Sequence, residues 1–292
     1  MRERSWTALL YLAPAVAFMG VFIAYPMLWS FYLSFTRYNY VYDPRPAWAG
    51  LQTYRDVLQD PVFQTALQNQ FKFGIPFFTI AFALSLLVAF TLTRISRART
   101  PLQLAVILPM IIPPSLGAIV FLWLLEPGFG LVNIAWRTLL HTRPPEWFLS
   151  PALALYVMVP IFVWEELAFP MVIFLAGLQT IPASLYDAAK VDGASFWGEL
   201  RYVTLPSLKP TMVVASVYLI TQSLKMFDLP YVLTQGGPAN ATFTLYYYAW
   251  TRAFKFYEMG QGAASAYITA ALIVLFSAAS SALLSERREE AA

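Results

Sequence analysis

Cysteine is absent from this chain of 292 residues, and histidine occurs only once. The absence of cysteine excludes disulfides, thiolate metal ligands and cysteine nucleophiles. The one histidine, His141, stands in a His-Thr-Arg-Pro-Pro sequence whose prolines indicate a loop, so we interpret it as a solvated residue rather than a ligand. We therefore expect no metal site in this chain.

Charge is also scarce, since charged residues make up 12% of the chain and hydrophobic residues 59%. A soluble domain carries roughly 25% charged residues. This composition predicts an integral membrane protein surrounded by lipid. No cluster of lysine and arginine suggests a nucleic-acid partner.

The motifs of nucleotide-dependent enzymes are missing as well. No glycine is followed by lysine, so the chain has no phosphate-binding loop, and no polar stretch is as long as a nucleotide-binding domain. The chain also lacks a glycine-rich cofactor loop, a cluster of metal ligands and a Ser/His/Asp set. We expect no cofactor and no enzymatic reaction in this chain, and any ATP and magnesium would be bound by a partner.

Long apolar runs are what the sequence has instead. A membrane-spanning helix needs about 20 apolar residues, and backbone groups in lipid must pair internally. The fold class is therefore all-α, with six transmembrane helices in a single domain, 1–292. The predicted spans lie near 7–36, 65–93, 102–125, 151–178, 210–233 and 260–284.

Two of these spans carry further information. The first follows Met1-Arg2-Glu3-Arg4 and is too long for the apolar region of a signal peptide, so we expect an uncleaved span. The third contains Pro109, Pro113 and Pro114, which predict a bent or broken helix. A broken helix is tolerated at membrane depth where it lies within protein or lines a cavity.

The distribution of positive charge predicts the orientation of the chain. Cytoplasmic loops carry an excess of lysine and arginine. The short segment 94–99 carries Arg94, Arg97 and Arg99 and no acid, which places it inside. Both termini are then expected to be cytoplasmic, with Arg287 and Arg288 near the C-terminus.

The segment 179–209 is a long polar interruption between the fourth and fifth spans. Ser184 and Asp187 match a capping box that predicts the start of a short helix, and Gly193 predicts its left-handed end. One face of this helix carries small or short side chains, at which another protein can approach closely. The residues of this predicted docking face are Leu185, Ala188, Ala189 and Asp192, with Asp187 at the solvated start.

Ionisable residues inside spans are costly, so they are candidates for function. The fourth span carries Trp164, Glu165 and Glu166, and the fifth carries Gln222, Ser223, Lys225 and Asp228. One interpretation is a cavity wall in which these groups bind hydroxyls and Trp164 offers a ring face, with Gln222, Lys225 and Asp228 on one face of a helix. The alternative is an ion pair between Lys225 and Asp228 and a protonated glutamate.

The polar segment also resembles a known signature. The permease subunits of type I ABC importers carry the pattern E-A-A-x-x-x-G followed by L-P in a cytoplasmic loop, and here Asp187-Ala188-Ala189 precede Gly193 and then Leu205-Pro206. Aspartate replaces the usual glutamate at 187. Further matches to the carbohydrate-uptake members, of the maltose and glycerol-phosphate type, are Gly50-Leu51-Gln52-Thr53-Tyr54, the run 108–114 with Gly130-Leu131-Val132-Asn133, and Leu233-Thr234-Gln235-Gly236-Gly237-Pro238.

This resemblance implies a fold, a function and a set of partners. The chain is expected to have the type I ABC importer permease fold, to lie in the inner membrane and to pass a sugar or polyol across it. The implied partners are a second homologous permease subunit, a dimer of ABC ATPase subunits and an extracytoplasmic substrate-binding protein. The 184–198 loop would couple the chain to the ATPase subunits.

Three alternatives remain open from the sequence. The chain could pass glycerol phosphate or another small solute. It could be an ion-coupled secondary transporter that uses Glu165, Glu166 and Asp228, or a membrane-embedded enzyme, although the catalytic set for an enzyme is missing. The acidic residues favour a neutral sugar over an anionic cargo, unless Lys225 faces the same cavity.

Overall fold

A computed structural model describes residues 2–95 and 99–285 of the chain. Arg97, Arg287 and Arg288, which support the predicted orientation, lie outside the described residues. The α-helices are Arg2–Met19, Tyr25–Leu33, Gln52–Gln59, Pro61–Arg94, Arg99–Ile111, Pro114–Leu124, Leu131–Leu140, Ala154–Glu166, Ala168–Thr180, Ala183–Val191, Phe196–Gly198, Leu205–Ser207, Lys209–Leu224, Leu245–Trp250 and Met259–Ser285. π-Helical turns are Gly20–Ala24, Glu199–Thr204, Pro230–Thr234 and Thr251–Lys255.

Six parts of this helical chain have the length and apolarity of a membrane span. Three are single helical stretches, Tyr11–Leu33, Pro61–Arg94 and Met259–Leu283. The other three are pairs of helices with a bend between them: Arg99–Ile111 with Pro114–Leu124, Ala154–Glu166 with Ala168–Thr180, and Phe196–Ser207 with Lys209–Leu224. When each pair counts as one span, the fold agrees with the six predicted helices.

The third span breaks where its prolines predict. The helix direction bends by 100° between its two halves, which lie on either side of Ile112 and Pro113. Pro113 and Pro114 have no N–H to donate to the preceding turn, so the first half cannot continue through them. The fourth span bends by 49° between Glu166 and Ala168.

The last helix of the fifth span ends earlier than predicted. Its helix Lys209–Leu224 ends with Lys225 as the C-terminal cap, whereas the prediction continued to residue 233. The chain leaves the helical pattern at Lys225, and the helix does not resume through Pro230, which lacks the backbone donor of a regular helix. Pro230–Thr234 instead forms a separate π-helical turn.

The chain divides into two compact units, of which the first comprises Met1–Gln64 and Tyr248–Thr269. It contains the first span, whose apolar window has no buried residue, and a two-stranded antiparallel sheet of Thr36–Arg37 with Ala47–Trp48. Thr36 pairs with Trp48, and Arg37 pairs with Ala47. Gly260 lies directly against the carbonyl oxygen of Thr36, where a side chain has no room.

The second unit comprises Thr65–Tyr247 and Ala270–Ala292. Aromatic rings of the second and fourth spans fill its core, and the ring centroids of Phe77 and Phe162 lie 4.7 Å apart. An apolar cavity of about 690 Å³ lies beside the second, fifth and sixth spans of this unit. Its lining includes Phe78, Ser223 and Phe276.

Candidate functional site

The polar loop contains the short helix that the sequence predicts, with a different start. The helix Ala183–Val191 follows Pro182, whose backbone is extended, and no side chain caps its first turn. Ser184 lies inside the helix, so the predicted capping box with Asp187 is wrong. Gly193 has φ +77°, which confirms the predicted left-handed end.

The predicted docking face of this helix is open to its surroundings. Leu185 is 46% exposed, Ala188 and Asp192 are exposed, and Ala189 is half-buried. Asp187 lies 3.8 Å from Lys190 in an exposed ion pair one turn along the helix. The small side chains and short polar groups therefore form a surface that a partner can approach.

Inside the membrane region, Glu166 is the acceptor for two side chains of the fifth span. Its Oε2 accepts a hydrogen bond from the hydroxyl of Tyr218 at 2.5 Å, and its Oε1 accepts one from Nε2 of Gln222 at 2.9 Å. Tyr218 and Gln222 are four residues apart and share one helix face. This spacing is the signal by which the sequence could have revealed Tyr218, which the sequence analysis missed.

Asp228 is bound by the broken third span. The hydroxyl of Ser115 donates to its Oδ1 at 2.5 Å. Lys225 is exposed and forms no ion pair within residues 2–95 and 99–285. The predicted pair with Asp228 is therefore not formed. The predicted common face with Gln222 is also wrong, because the helix ends at Leu224.

Glu165 is the most enclosed of the acidic side chains in the spans. It is 6% exposed, and neither of its carboxylate oxygens has a hydrogen-bond partner in the described part of the chain. A Cβ on Gly117 would lie 2.7 Å from its Oε1, so only glycine leaves room there. The ring of Trp164 borders the same glycine and packs edge-on against Phe121 at 5.2 Å.

These groups form what we call the intramembrane cluster, because Gly117 and Ser115 of the third span meet Glu165 and Asp228, and Glu166, next to Glu165, binds the fifth span. Most of its members lie near helix breaks or ends of the third, fourth and fifth spans, whereas Tyr218 lies within the helix Lys209–Leu224. Discontinuous helices of this kind form substrate sites in transporters. The cluster consists of Ser115, Gly117, Trp164, Glu165, Glu166, Tyr218, Gln222 and Asp228.

Ser223, which was grouped with these residues from the sequence, lies elsewhere. Its backbone oxygen accepts a hydrogen bond from Gln70 at 2.8 Å, and its hydroxyl lies against Gly74 of the second span. It lines the apolar cavity rather than the cluster. Adjacent helical residues point in different directions, and this explains why Gln222 and Ser223 separate.

The cluster is acidic and has no metal-binding geometry. The described residues contain no group of three His, Cys, Asp or Glu side chains able to hold a metal ion. In that part of the chain, Glu166 and Asp228 accept side-chain hydrogen bonds from hydroxyl and amide donors, and Glu165 accepts none. The arrangement is suited to hydroxyl groups, which donate to carboxylates in strong charge-assisted bonds.

A second polar network lies in the first unit, and the sequence analysis missed it. Arg252 pairs with Asp60 and, at 2.9 Å, with Glu258, while the hydroxyl of Tyr248 donates to Asp60 at 2.7 Å. Burial raises the pKa of Asp60, but hydrogen bonds from Tyr248 and Val62 and the charge of Arg252 outweigh it, and the net pKa is lowered. Burial, and then the bond to Asp60, raises the pKa of Tyr248.

Several known proteins with similar sequences are permeases of transport systems. A probable ABC transporter permease protein of Pyrococcus horikoshii is 32% identical over 261 residues, which are 89% of this chain and 89% of that protein. A trehalose/maltose transport system permease protein of Thermococcus litoralis is 31% identical and covers 91% of this chain and 90% of its own length. A sulfoquinovosyl glycerol transport system permease protein of Agrobacterium fabrum is 32% identical, with coverages of 91% and 86%.

A solved structure shows the same fold. The permease-like chain in a crystal structure of a bacterial ABC transporter involved in the import of the acidic polysaccharide alginate superposes with a TM-score of 0.84 at 21% identity. The match covers 98% of this chain and 97% of that one. This likeness confirms the type I importer fold expected from the sequence.

The family model described as binding-protein-dependent transport system inner membrane component matches residues 81–290. This match supports the importer interpretation over an ion-coupled secondary transporter or a membrane enzyme. The chain belongs to this family, and is a multi-pass permease subunit of an ABC importer in the inner membrane rather than an enzyme.

Proposed function

We propose that this chain passes a neutral sugar or polyol across the inner membrane, with the intramembrane cluster as part of the path. The observation that carries the proposal is the meeting of Glu165, Glu166 and Asp228 near helix breaks. Hydroxyl and amide side chains donate to Glu166 and Asp228, and the buried Glu165 has no hydrogen-bond partner in the described residues. Relatives named for transport of trehalose/maltose, lactose and xylose/arabinose support a sugar.

The charge of the cluster distinguishes neutral from anionic cargo. Two like charges 4 Å apart repel by about 4 kcal/mol at an effective dielectric of 20. A phosphate or carboxylate passing Glu166 would need a cation beside it, and the side chains that bind Glu166 in the described ranges, Tyr218 and Gln222, are both neutral donors. A neutral hydroxyl-rich solute needs no counter-ion and can donate hydrogen bonds to the carboxylates.

Uptake by the reconstituted importer tests this path. Maltose, trehalose, lactose and xylose are offered first, and the sugar that the wild type takes up is used throughout. Glu166→Gln and Glu165→Gln each remove one charge with little change in shape. We expect a raised KM for uptake in at least one variant, by about 10-fold for the loss of one charged hydrogen bond.

The matched control changes a buried polar residue outside the cluster. Ser223→Ala removes a hydroxyl from the apolar cavity and should leave the KM unchanged. Normal uptake by both glutamine variants would show that the acids are structural. Uptake of a phosphorylated solute that Lys225→Ala abolishes would show that the sign of the site is wrong.

We also propose the assembly in which the chain works. A second, homologous permease subunit completes the membrane path, two ATPase subunits bind on the cytoplasmic side, and a substrate-binding protein docks outside. A structural neighbour with a TM-score of 0.81 was solved in complex with an alginate pentasaccharide-bound periplasmic protein, which supports an external partner. The docking face of Ala183–Val191, with Asp187 in the middle of this helix and Gly193 just after its end, contacts the ATPase and transmits its movement through the 184–198 loop.

Gly193→Asp tests the coupling. The substitution places a charged side chain at φ +77° on the docking face, and ATP hydrolysis by the assembled importer should no longer respond to substrate. Gly50→Asp is the matched control, because Gly50 also has positive φ, +59°, but lies in the outer loop. Wild-type stimulation in the Gly193→Asp importer would contradict the proposal.

The orientation has a direct test because the chain has no cysteine. Tyr42 is 82% exposed and Val191 is 88% exposed, so each can be replaced by a single cysteine without disturbing a core. A membrane-impermeant maleimide should label Tyr42→Cys in intact cells and Val191→Cys only after lysis. The reverse pattern would place the termini outside.

A further inference from the structure

Arg94 ends the helix of the second span and lies between two aromatic rings. Its guanidinium carbon is 4.5 Å from the ring centroid of Phe90 and 4.9 Å from that of Phe196. The two rings meet edge-on at 5.8 Å. Phe90 belongs to the second span, whereas Phe196 belongs to the 184–198 loop, so the stack joins the loop to a span through side chains.

Arginine is suited to this position for two reasons. Its planar guanidinium can stack on aromatic faces, which a lysine ammonium does less well. A positive charge in the last turn of a helix also interacts favourably with the helix dipole. Arg201, in contrast, lies over the ring of Tyr202, its own neighbour in the chain, at 5.8 Å.

The second span connects this stack to the intramembrane cluster. Pro61–Arg94 is one helix of 34 residues, in contrast to the broken spans around it. Phe73 and Phe77 of this helix pack on Phe162 at 5.6 and 4.7 Å, and Phe162 precedes Glu165 by one turn. One helix therefore carries the stack near its C-terminal end and, further back, the ring contacts with Phe162 beside the acids.

We propose that Arg94 is a positioning residue for coupling, which holds the 184–198 loop on the second span so that movement of the loop reaches the cluster. The inference rests on the proposed function, since it needs the loop to bind the ATPase. It adds a route and a residue that the docking face alone does not supply. Without the stack, movement of the ATPase displaces the loop but does not displace the second span.

The test compares Arg94→Ala and Phe196→Leu with Arg201→Ala. Arg201→Ala removes an equal charge from a residue whose ring contact among the described residues is with its own neighbour, Tyr202. The importer is reconstituted in vesicles, and both ATP hydrolysis and uptake of the sugar chosen above are measured. The two stack variants should lower the uptake per ATP about 5-fold, at the low end of measured coupling between sites.

Further measurements separate coupling from folding and topology. Phe196→Leu changes no charge, so it cannot invert the chain, and the double variant Arg94→Ala/Phe196→Leu should be no worse than either single variant. Arg94→Lys should give an intermediate value. In the stack variants, basal ATP hydrolysis and the amount of assembled importer should stay at the wild-type level.

Two results would overturn the inference. One is normal uptake per ATP in Arg94→Ala. The other is that basal hydrolysis, assembly and uptake all fall together, which would show that Arg94 has only a structural role. Gly193→Asp distinguishes this failure from that of the proposed function. If Gly193→Asp uncouples the importer and Arg94→Ala does not, the loop still couples and only the role of Arg94 is wrong.

Discussion

The network around Arg252 should contribute strongly to the stability of the first unit. Arg252→Ala removes the ion pairs with Asp60 and Glu258, and it leaves Asp60 enclosed without its counter-ion. The side chains of Arg252, Asp60 and Glu258 are 22%, 11% and 34% exposed. Arg37 and Asp56, at 67% and 32%, form an exposed pair in the same unit.

The two pairs differ in the free energy that their loss should cost. Breaking a buried pair by removing one partner costs about 3–5 kcal/mol, and partial exposure places Arg252→Ala at the lower end. Removing one member of an exposed pair costs less than about 1 kcal/mol. Arg37→Ala is therefore the matched control, since it removes the same side chain from a solvated pair.

Thermal unfolding of the purified protein, followed by tryptophan fluorescence in one detergent, measures both variants. Arg252→Ala should lower the apparent Tm by roughly 5–10 °C and Arg37→Ala by no more than roughly 3 °C. The comparison uses one scan rate, because unfolding of such proteins is governed by rates as well as equilibrium. Equal shifts in the two variants would refute the argument from burial.

Three further predictions concern pH, a turn and nucleotide. Folding lowers the pKa of Asp60, so this group stabilises the folded chain at pH values above its unfolded pKa of about 3.9. That stabilisation is lost as the pH falls through the lower, folded pKa. Asp60→Asn should therefore make the Tm fall less steeply with acid in this range. In Gly236→Ala the new methyl group would collide with the rings of Phe243 and Tyr247, and the variant should lose about 3 kcal/mol of stability. Gly193→Ala, where no atom lies within 4 Å of the new methyl group, should lose about 1 kcal/mol. Equal unfolding temperatures of the two variants would contradict this. Purified alone, the chain should not bind ATP in equilibrium dialysis, and saturable binding would contradict the assignment of ATP to a partner.

Much of the fold follows from local sequence. Apolar runs of sufficient length determine where helices cross, and Pro113 with Pro114 determines where the third span breaks. Gly193 ends its helix because glycine tolerates positive φ. The end of the fifth helix at Leu224 was missed because the apolar run continues beyond it. The extended Pro182 precedes the loop helix, so the capping box at Ser184 did not form.

Only some residues of the candidate site can be predicted from the sequence. Charge inside spans identified Glu165, Glu166 and Asp228, since such residues are costly in lipid. Their partners Ser115 and Tyr218 depend on which spans face each other, and tertiary packing decides this. The same holds for Asp60 and Arg252, which are far apart in the chain and carry no local pattern that links them.

The proline break in the third span affects the hydrogen-bonding character of the membrane interior around it. In a regular helix the amides at 113 and 114 would donate to the carbonyls of Pro109 and Met110. Ile112 donates to Pro109 instead, and the proline at 114 leaves the carbonyl of Met110 without its usual donor. The main chain there offers acceptors and few donors. A solute made of hydroxyls supplies the missing donors, whereas a phosphate adds more acceptors. The proline pair thus adds a backbone contribution to the proposed preference for hydroxyls, and exchange of a neighbouring side chain does not remove this contribution.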